Sequence, residues 1–242
     1  MTVLGVMSAM DEELAAVLAA AEVDEAIAIG PRVFHRVRRG GATAILVVSR
    51  IGKVAAATTA TLLLERFGCD AIVMTGVAGA LDPGLEVGDV VVADALIHHD
   101  LDARPLFPRH EVPLLARDRL ATDAGLSARL AAAAAGLCAA PPAGLRALGV
   151  SAPRLHRGLI ASGDQFLSST AAVAALRAAL PDALAVEMEG AAVAQVCHEH
   201  DVPVAVARVV SDRADHAAGI DFARFVAAAC GPYARALIDA VW

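Results

Sequence analysis

Short apolar runs alternate along this chain with alanine- and leucine-rich stretches at helical spacing, a pattern that predicts an α/β protein. Residues 3–8 read as a buried strand, and Ala9-Met10-Asp11-Glu12-Glu13 opens a helix whose apolar positions are Leu14, Val17 and Leu18. Residues 33–37 and 43–48 read as paired strands around a Gly40-Gly41 turn, followed by a helix reaching about Phe67. The strand 72–75 runs into Gly76-Val77-Ala78-Gly79-Ala80, whose glycines permit close backbone approach to a ligand. After the strand 90–93, His98 and His99 read as surface histidines at a strand end, and the Pro-rich segment 102–113, with Phe107 expected exposed, as a lid or subunit contact. A helix over 123–137 is broken at Pro141-Pro142; strand 157–161 and a helix over 171–179 follow. Two further apolar runs, 184–186 and 202–210, precede a closing helix over 222–241 that Gly231-Pro232 kinks or splits. With neither linker nor repeat, the expectation is one domain over 1–242.

Composition narrows the function classes. The chain has 242 residues, 57% apolar and 19% charged, yet no run approaches the roughly 18 apolar residues of a membrane span. Its start lacks a basic flank and cleavage site, so the expected compartment is the cytoplasm and no membrane partner is expected. A net charge of −7 argues against a nucleic-acid partner, and the arginines at 32, 36, 38 and 39 read as a solvated face. Four scattered cysteines suggest free thiols. Cys197-His198-Glu199-His200 lacks a second ligand cluster, so no metal is expected. Gly52-Lys53 is not a phosphate loop and Gly76-to-Gly79 is not a dinucleotide fingerprint, so no cofactor is expected either.

The candidate chemistry lies in carboxylates at strand ends. Glu187, Met188 and Glu189 close one apolar run, Ser211 and Asp212 another, and Glu13 follows a third. Strand ends of that kind predict a carboxylate-lined crevice. Each acid alone also fits a solvated strand end, and Asp11, Glu12 and Glu13 fit ordinary capping of a first helical turn. Together they favour a site. Asp212, ending a wholly apolar strand, is the better candidate for a carboxyl kept neutral by desolvation; Glu13, in a first helical turn, is better placed to stay charged.

Six separated segments add a resemblance: residues 9–13, 51–56, 75–79, 87–89 and 162–166, and 186–189 with Ser211-Asp212. In this order, over nearly the whole chain, they resemble the bacterial 5′-methylthioadenosine/S-adenosylhomocysteine nucleosidase family. The resemblance implies an α/β, three-layer nucleoside phosphorylase-like fold, with a mixed, partly barrel-like sheet flanked by helices, usually as a homodimer with segment 102–113 near the interface. It implies hydrolysis of an adenine nucleoside, Asp212 protonating adenine at N7 and Glu13 activating water, with Arg208 nearby. Glu189 would anchor ribose hydroxyls, with Glu187 and Ser211 in the same site and Met188 against the sugar. Phe166 would stack on the purine, Leu167 would read its edge through the backbone, and Gly79 would line the site. Met10, Ile51 and Phe222 would line the 5′-substituent pocket. Val77 stands where many relatives have serine and Arg50 where a small residue is common, departures that bear on substrate choice.

Three alternatives stay open: a phosphate-dependent purine nucleoside phosphorylase, a futalosine-type nucleosidase, and a non-catalytic nucleoside-binding module. Acidic residues at 11–13 disfavour phosphate there.

Overall fold

The computed structural model of the chain describes residues 3–150, 152–214 and 218–242. In order they form strand β1 (Val3–Ser8), helix α1 (Asp11–Leu18), strands β2 (Glu22–Ile29), β3 (Arg32–Arg39) and β4 (Ala42–Val48), helix α2 (Lys53–Glu65), and strands β5 (Ala71–Ala80) and β6 (Val90–His98). Next come β7 (Leu120–Ala121), α3 (Ala124–Ala139), α4 (Ala143–Ala147), β8 (Leu155–Ser162), α5 (Thr170–Ala179), β9 (Ala183–Glu187) and α6 (Gly190–Glu199). The chain closes with β10 (Val204–Asp212), α7 (Ala218–Phe225), a π-helical turn (Val226–Cys230) and α8 (Gly231–Asp239).

The strands share one mixed sheet in the order β10-β6-β8-β9-β5-β1-β4-β3-β2, with β7 on β6. Because β10 also pairs with β5, the strands β5, β10, β6, β8 and β9 close into a five-stranded barrel. β5 makes that closure possible. Its first half lies parallel to both β1 and β10, and at Gly79 and Ala80 it turns to pair antiparallel with β9. The carboxyl ends of β1, β5, β9 and β10 are thereby brought to one side.

Helices cover both faces, which is why the central strands read as continuous apolar runs rather than alternating ones. In β4, Ile45 and Val47 pack with Ala56, Ala60 and Leu63 of α2 and with α6, whereas Ala44 and Leu46 face the layer of α1, α3 and α8. The three-layer, partly barrel-like α/β fold expected from the sequence is the one observed.

One strand carries no apolar signal, and three local expectations are corrected. Strand β2 escapes the apolar pattern because it is an exposed edge; its acids meet β3, with Arg38 Nε 2.5 Å from Asp24 and Arg36 Nε 3.8 Å from Glu25. Charged edges of this kind resist pairing with other chains. The side chains of Arg36, Arg38 and Arg39 stay 35%, 63% and 50% exposed, so these pairs lie on the solvated face expected of the arginines. His98 and His99 are buried, because β6 continues to His98 and the chain then folds under the loop after β8. In the 102–113 segment Phe107 is half-buried, while Leu106 just before it is 83% exposed. Gly231 and Pro232 do not interrupt the helical path themselves; the π turn ends at Cys230, and Pro232 falls in the first turn of α8, where a missing N–H costs little.

The N-terminus of α3 is held by Asp123, whose side chain accepts the Leu126 N–H at 2.8 Å. An Asp123→Ala protein is expected to lose about 1 kcal/mol of stability in urea unfolding. An unchanged midpoint would show that the cap contributes nothing.

Candidate active site

The strand ends line a cleft that opens to solvent on one side. Every site residue named from the sequence lines it. Met10 and Glu13 come from the start of α1, Ile51 from the turn before α2, and Gly79 from β5. Phe166 and Leu167 follow β8; Glu187, Met188 and Glu189 span the β9–α6 junction. Arg208, Ser211 and Asp212 belong to β10, and Phe222 to α7.

Glu13 is the third residue of α1 and is 1% exposed. Its side chain turns back across the helix start: Oε2 accepts the N–H groups of Ala9 (2.8 Å) and Met10 (3.1 Å), and Oε1 that of Val77 (3.2 Å). Capping and pointing at the sheet end are therefore the same geometry, while Asp11 and Glu12 face outward. Burial raises the pKa of Glu13, against the lowering effects of Arg208 and the three backbone donors. A first-turn position favours the charged form, and removal from water works against it.

Arg208, 1% exposed within the barrel, is the hub of the site. Its Nη2 donates to Glu187 Oε2, to Glu189 Oε2 at 3.3 Å and to Met74 Sδ at 3.4 Å. Arg208 Nε is buried without a hydrogen-bond partner among the described residues, the kind of donor that a bound water satisfies. Glu187 also accepts from Ser162 Oγ and from the N–H groups of Glu189 (3.2 Å) and Gly190 (2.9 Å). Although it lines the cleft, its oxygens are engaged in holding Arg208 and the start of α6. Glu189 is freer toward the cleft; among the described residues its Oε1 accepts only the Gly52 N–H, at 2.9 Å. Burial first, and then the charge of Glu187, push the Glu189 carboxyl up to about 7, while Arg208 and the Gly52 N–H work the other way.

Asp212 ends β10 at 2% exposure, accepting from Ser211 Oγ at 2.7 Å and from the Ala214 N–H at 2.8 Å. The glycines of β5 serve this framework more than a ligand. A Cβ on Gly76 would lie 2.1 Å from Arg208 Nη1 and 2.8 Å from Glu13 Oε1, and one on Gly79 would lie 3.1 Å from Asp212 Oδ1. Only a residue without a side chain lets β5 pass so close to those groups. At the rim, Phe166 is 50% exposed and meets Phe222 edge-on, with centroids 5.9 Å apart.

Several contributors take no role from the sequence, although Lys53, Ser162 and Asp164 lie in its family-like segments. Ser162 clamps Glu187 and also accepts the Ala191 N–H at 2.8 Å. Lys53 Nζ reaches Asp100 at 2.5 Å, and Asp100 in turn accepts the Asp164 N–H at 2.9 Å, tying α2 to the loop that carries Phe166. Among the described residues no group of three His, Cys, Asp or Glu is placed to hold a metal ion. At the end of α6, His198 donates to the Ala121 carbonyl and His200 lies 3.3 Å from Glu65, so the two diverge.

The raised pKa of Glu189 has a stability consequence. The unfolded carboxyl loses its proton near 4.5 and the folded one near 7, so folded protein holds the extra proton between these values. Its contribution is complete below about 4.5 and is lost as pH rises toward 7. Glu189→Gln is therefore expected to reduce the fall in Tm of the ligand-free protein between about pH 5 and pH 8. A fall as steep as in the parent protein would contradict this.

Comparison with known proteins agrees with the fold and the cleft. A family model described as "Phosphorylase superfamily" matches residues 3–241. The 5′-methylthioadenosine/S-adenosylhomocysteine nucleosidase of Anoxybacillus flavithermus is 35% identical, over 92% of this chain and 90% of its own. The crystal structure of the Neisseria meningitidis nucleosidase of the same name, in complex with methylthio-immucillin-A, is 32% identical with a TM-score of 0.87, covering 100% of this chain and 98% of its own. Futalosine hydrolase of Helicobacter pylori is also similar, at 32% identity and a TM-score of 0.84 over 98% of this chain and 97% of its own. The chain belongs to the phosphorylase superfamily and, within it, to the 5′-methylthioadenosine/S-adenosylhomocysteine nucleosidase family.

Proposed function

We propose that this protein is a purine nucleosidase that hydrolyses the N-glycosidic bond of 5′-methylthioadenosine, S-adenosylhomocysteine or a related adenine nucleoside. The observation that carries the reading is the convergence of Glu13, Glu189 and Asp212 on one cleft, with Glu13 and Glu189 beside the buried Arg208 guanidinium. Adenine leaves readily only when protonated, and the sugar left behind has oxocarbenium character. In this reading Asp212 gives its proton to N7 as the C1′–N9 bond breaks. Glu13 takes a proton from the water that attacks C1′, and its raised pKa makes it a stronger base for that step. Arg208, with its buried Nε donor, orients that water.

Glu189 accepts the ribose hydroxyls and Met188 packs against the sugar, with Glu187 and Ser211 supporting Arg208 and Asp212 from behind. Phe166 stacks on the purine while the Leu167 backbone reads its edge; Gly79 keeps that space open, and Met10, Ile51 and Phe222 receive the 5′-substituent. An excess of buried carboxylates over one guanidinium favours a sugar gaining positive charge.

The same excess disfavours phosphate as the nucleophile. A futalosine-type substrate is the second reading, supported by the similarity to the Helicobacter pylori hydrolase. We further propose one domain over 1–242 and a homodimer in the cytoplasm. Support for the dimer comes from Leu106 and Leu114, which are 83% and 93% exposed in or beside the Pro-rich 102–113 segment. No described helix is long and apolar enough to cross a membrane.

Adenine release from 5′-methylthioadenosine is expected to proceed at the same rate with and without phosphate. Asp212→Asn is expected to lower kcat by about 10²- to 10⁴-fold. Turnover that requires phosphate would instead make the protein a phosphorylase, and near-normal turnover in Asp212→Asn would remove the general-acid role.

A further inference from the structure

The cleft does not end at Met10 and Ile51. It continues past Ala9, Met10 and Ile51 into an open groove walled on one side by Arg32 and Arg50 and on the other by Asp11 and Glu12. Two features set the arginine wall apart. Among the described residues neither guanidinium has a carboxylate partner: Arg32 is anchored by Thr59 Oγ1 at 2.6 Å and by the Ala55 carbonyl at 3.1 Å, and Arg50 projects with its side chain unbonded. Arg50 also holds φ at 70°, a backbone conformation that glycine adopts without strain and a residue with a Cβ does not. A long cationic side chain is thus kept where glycine would be easier, beside a second cation, at the outer end of the site.

Asp11 and Glu12 line the same groove but, among the described residues, form no ion pair with either arginine, so the two guanidinium groups still repel one another and an anion held directly between them relieves that repulsion. The charge of Arg50 and partial burial both bear on Arg32 and lower its pKa, burial being the larger cause. Arginine presents paired donors that match a carboxylate. A 5′-substituent threading between Met10 and Ile51 would bring its far end to this wall.

We propose that Arg50, backed by Arg32, is a carboxylate-reading subsite that makes the protein favour adenine nucleosides whose 5′-thioether tail ends in an acid over those ending in a methyl group. This rests on the nucleosidase reading above. The neutral part of the tail lies against Met10 and Ile51, and the anion is recognised one step further out. Charge reading at an exposed rim is screened by salt, which gives the proposal a signature that an apolar contact lacks.

The test compares kcat/KM for 5′-methylthioadenosine, S-adenosylhomocysteine and 5′-(3-carboxypropylthio)adenosine in the parent protein, Arg50→Gly and Arg50→Gln. The ratio of acid-tailed to methylthio substrate is expected to fall about 5- to 20-fold in both variants, the effect of a charge-assisted contact discounted for exposure. In the parent protein the ratio should also fall as sodium chloride is added, and in the variants it should not. A ratio that Arg50 substitution leaves unchanged overturns the subsite. A fall confined to S-adenosylhomocysteine also overturns it, since the carboxylate alone would then not be the group recognised. If none of the three nucleosides is cleaved, it is the nucleosidase reading that fails; the same ratio, measured as Kd by calorimetry, then decides the subsite separately.

Discussion

A single guanidinium, buried inside the barrel and shared among carboxylates from distant parts of the chain, is the interaction on which the rest of the site depends. Arg208 comes from β10, Glu187 and Glu189 from the β9–α6 junction, and Glu13 from α1. An ion taken out of water is tolerated only when partners and hydrogen bonds replace its hydration. The barrel closure satisfies that condition by setting Arg208 opposite Gly76 of β5, leaving room for the guanidinium where any side chain would collide with it. Ser162 and the N–H groups of Glu189 and Gly190 then fix Glu187, so the guanidinium has one position rather than several.

The same arrangement links stability to chemistry. Three carboxylates compete for one cation, so the cluster is short of positive charge. Burial raises the pKa of Glu13 and brings that of Glu189 to about 7, both shifts in the direction that eases the shortage. A sugar with developing positive charge meets it in another way, which is how the physics of a crowded buried cluster becomes preferential stabilisation of a transition state. The cost falls on the folded protein without ligand, consistent with active sites being places where stability is given up for function.

Much of this was legible in the sequence, for identifiable reasons. Buried strands announce themselves as apolar runs, so β1, β4, β5, β9 and β10 and the acids that follow them could be placed in advance. Strand β2 could not, because an exposed edge carrying Glu22, Asp24 and Glu25 has no apolar signature. That Glu13, Glu189 and Asp212 share one cleft depended on the order of family-like segments; what each oxygen touches did not show. Ser162 and Gly76 fall in family-like segments, but what they face, Glu187 and Arg208, shows only once the neighbouring strands are in place. The burial of His98 and His99 has no local cue, because it arises where the chain beyond β6 returns beneath the loop after β8. Arg50 was visible as a departure from the family, but the left-handed backbone that makes it notable was not.

Whether Arg208 is the common counter-charge of the buried acids can be read from the pH dependence of folding stability in Arg208→Met. Without the guanidinium the acids are left buried and uncompensated, so the variant should lose about 3–5 kcal/mol relative to the parent protein near pH 8. It should regain most of that near pH 5, where Glu13 and Glu189, with their raised pKa values, take up protons. A variant as stable as the parent protein near pH 8, or equally destabilised at both pH values, would contradict the account.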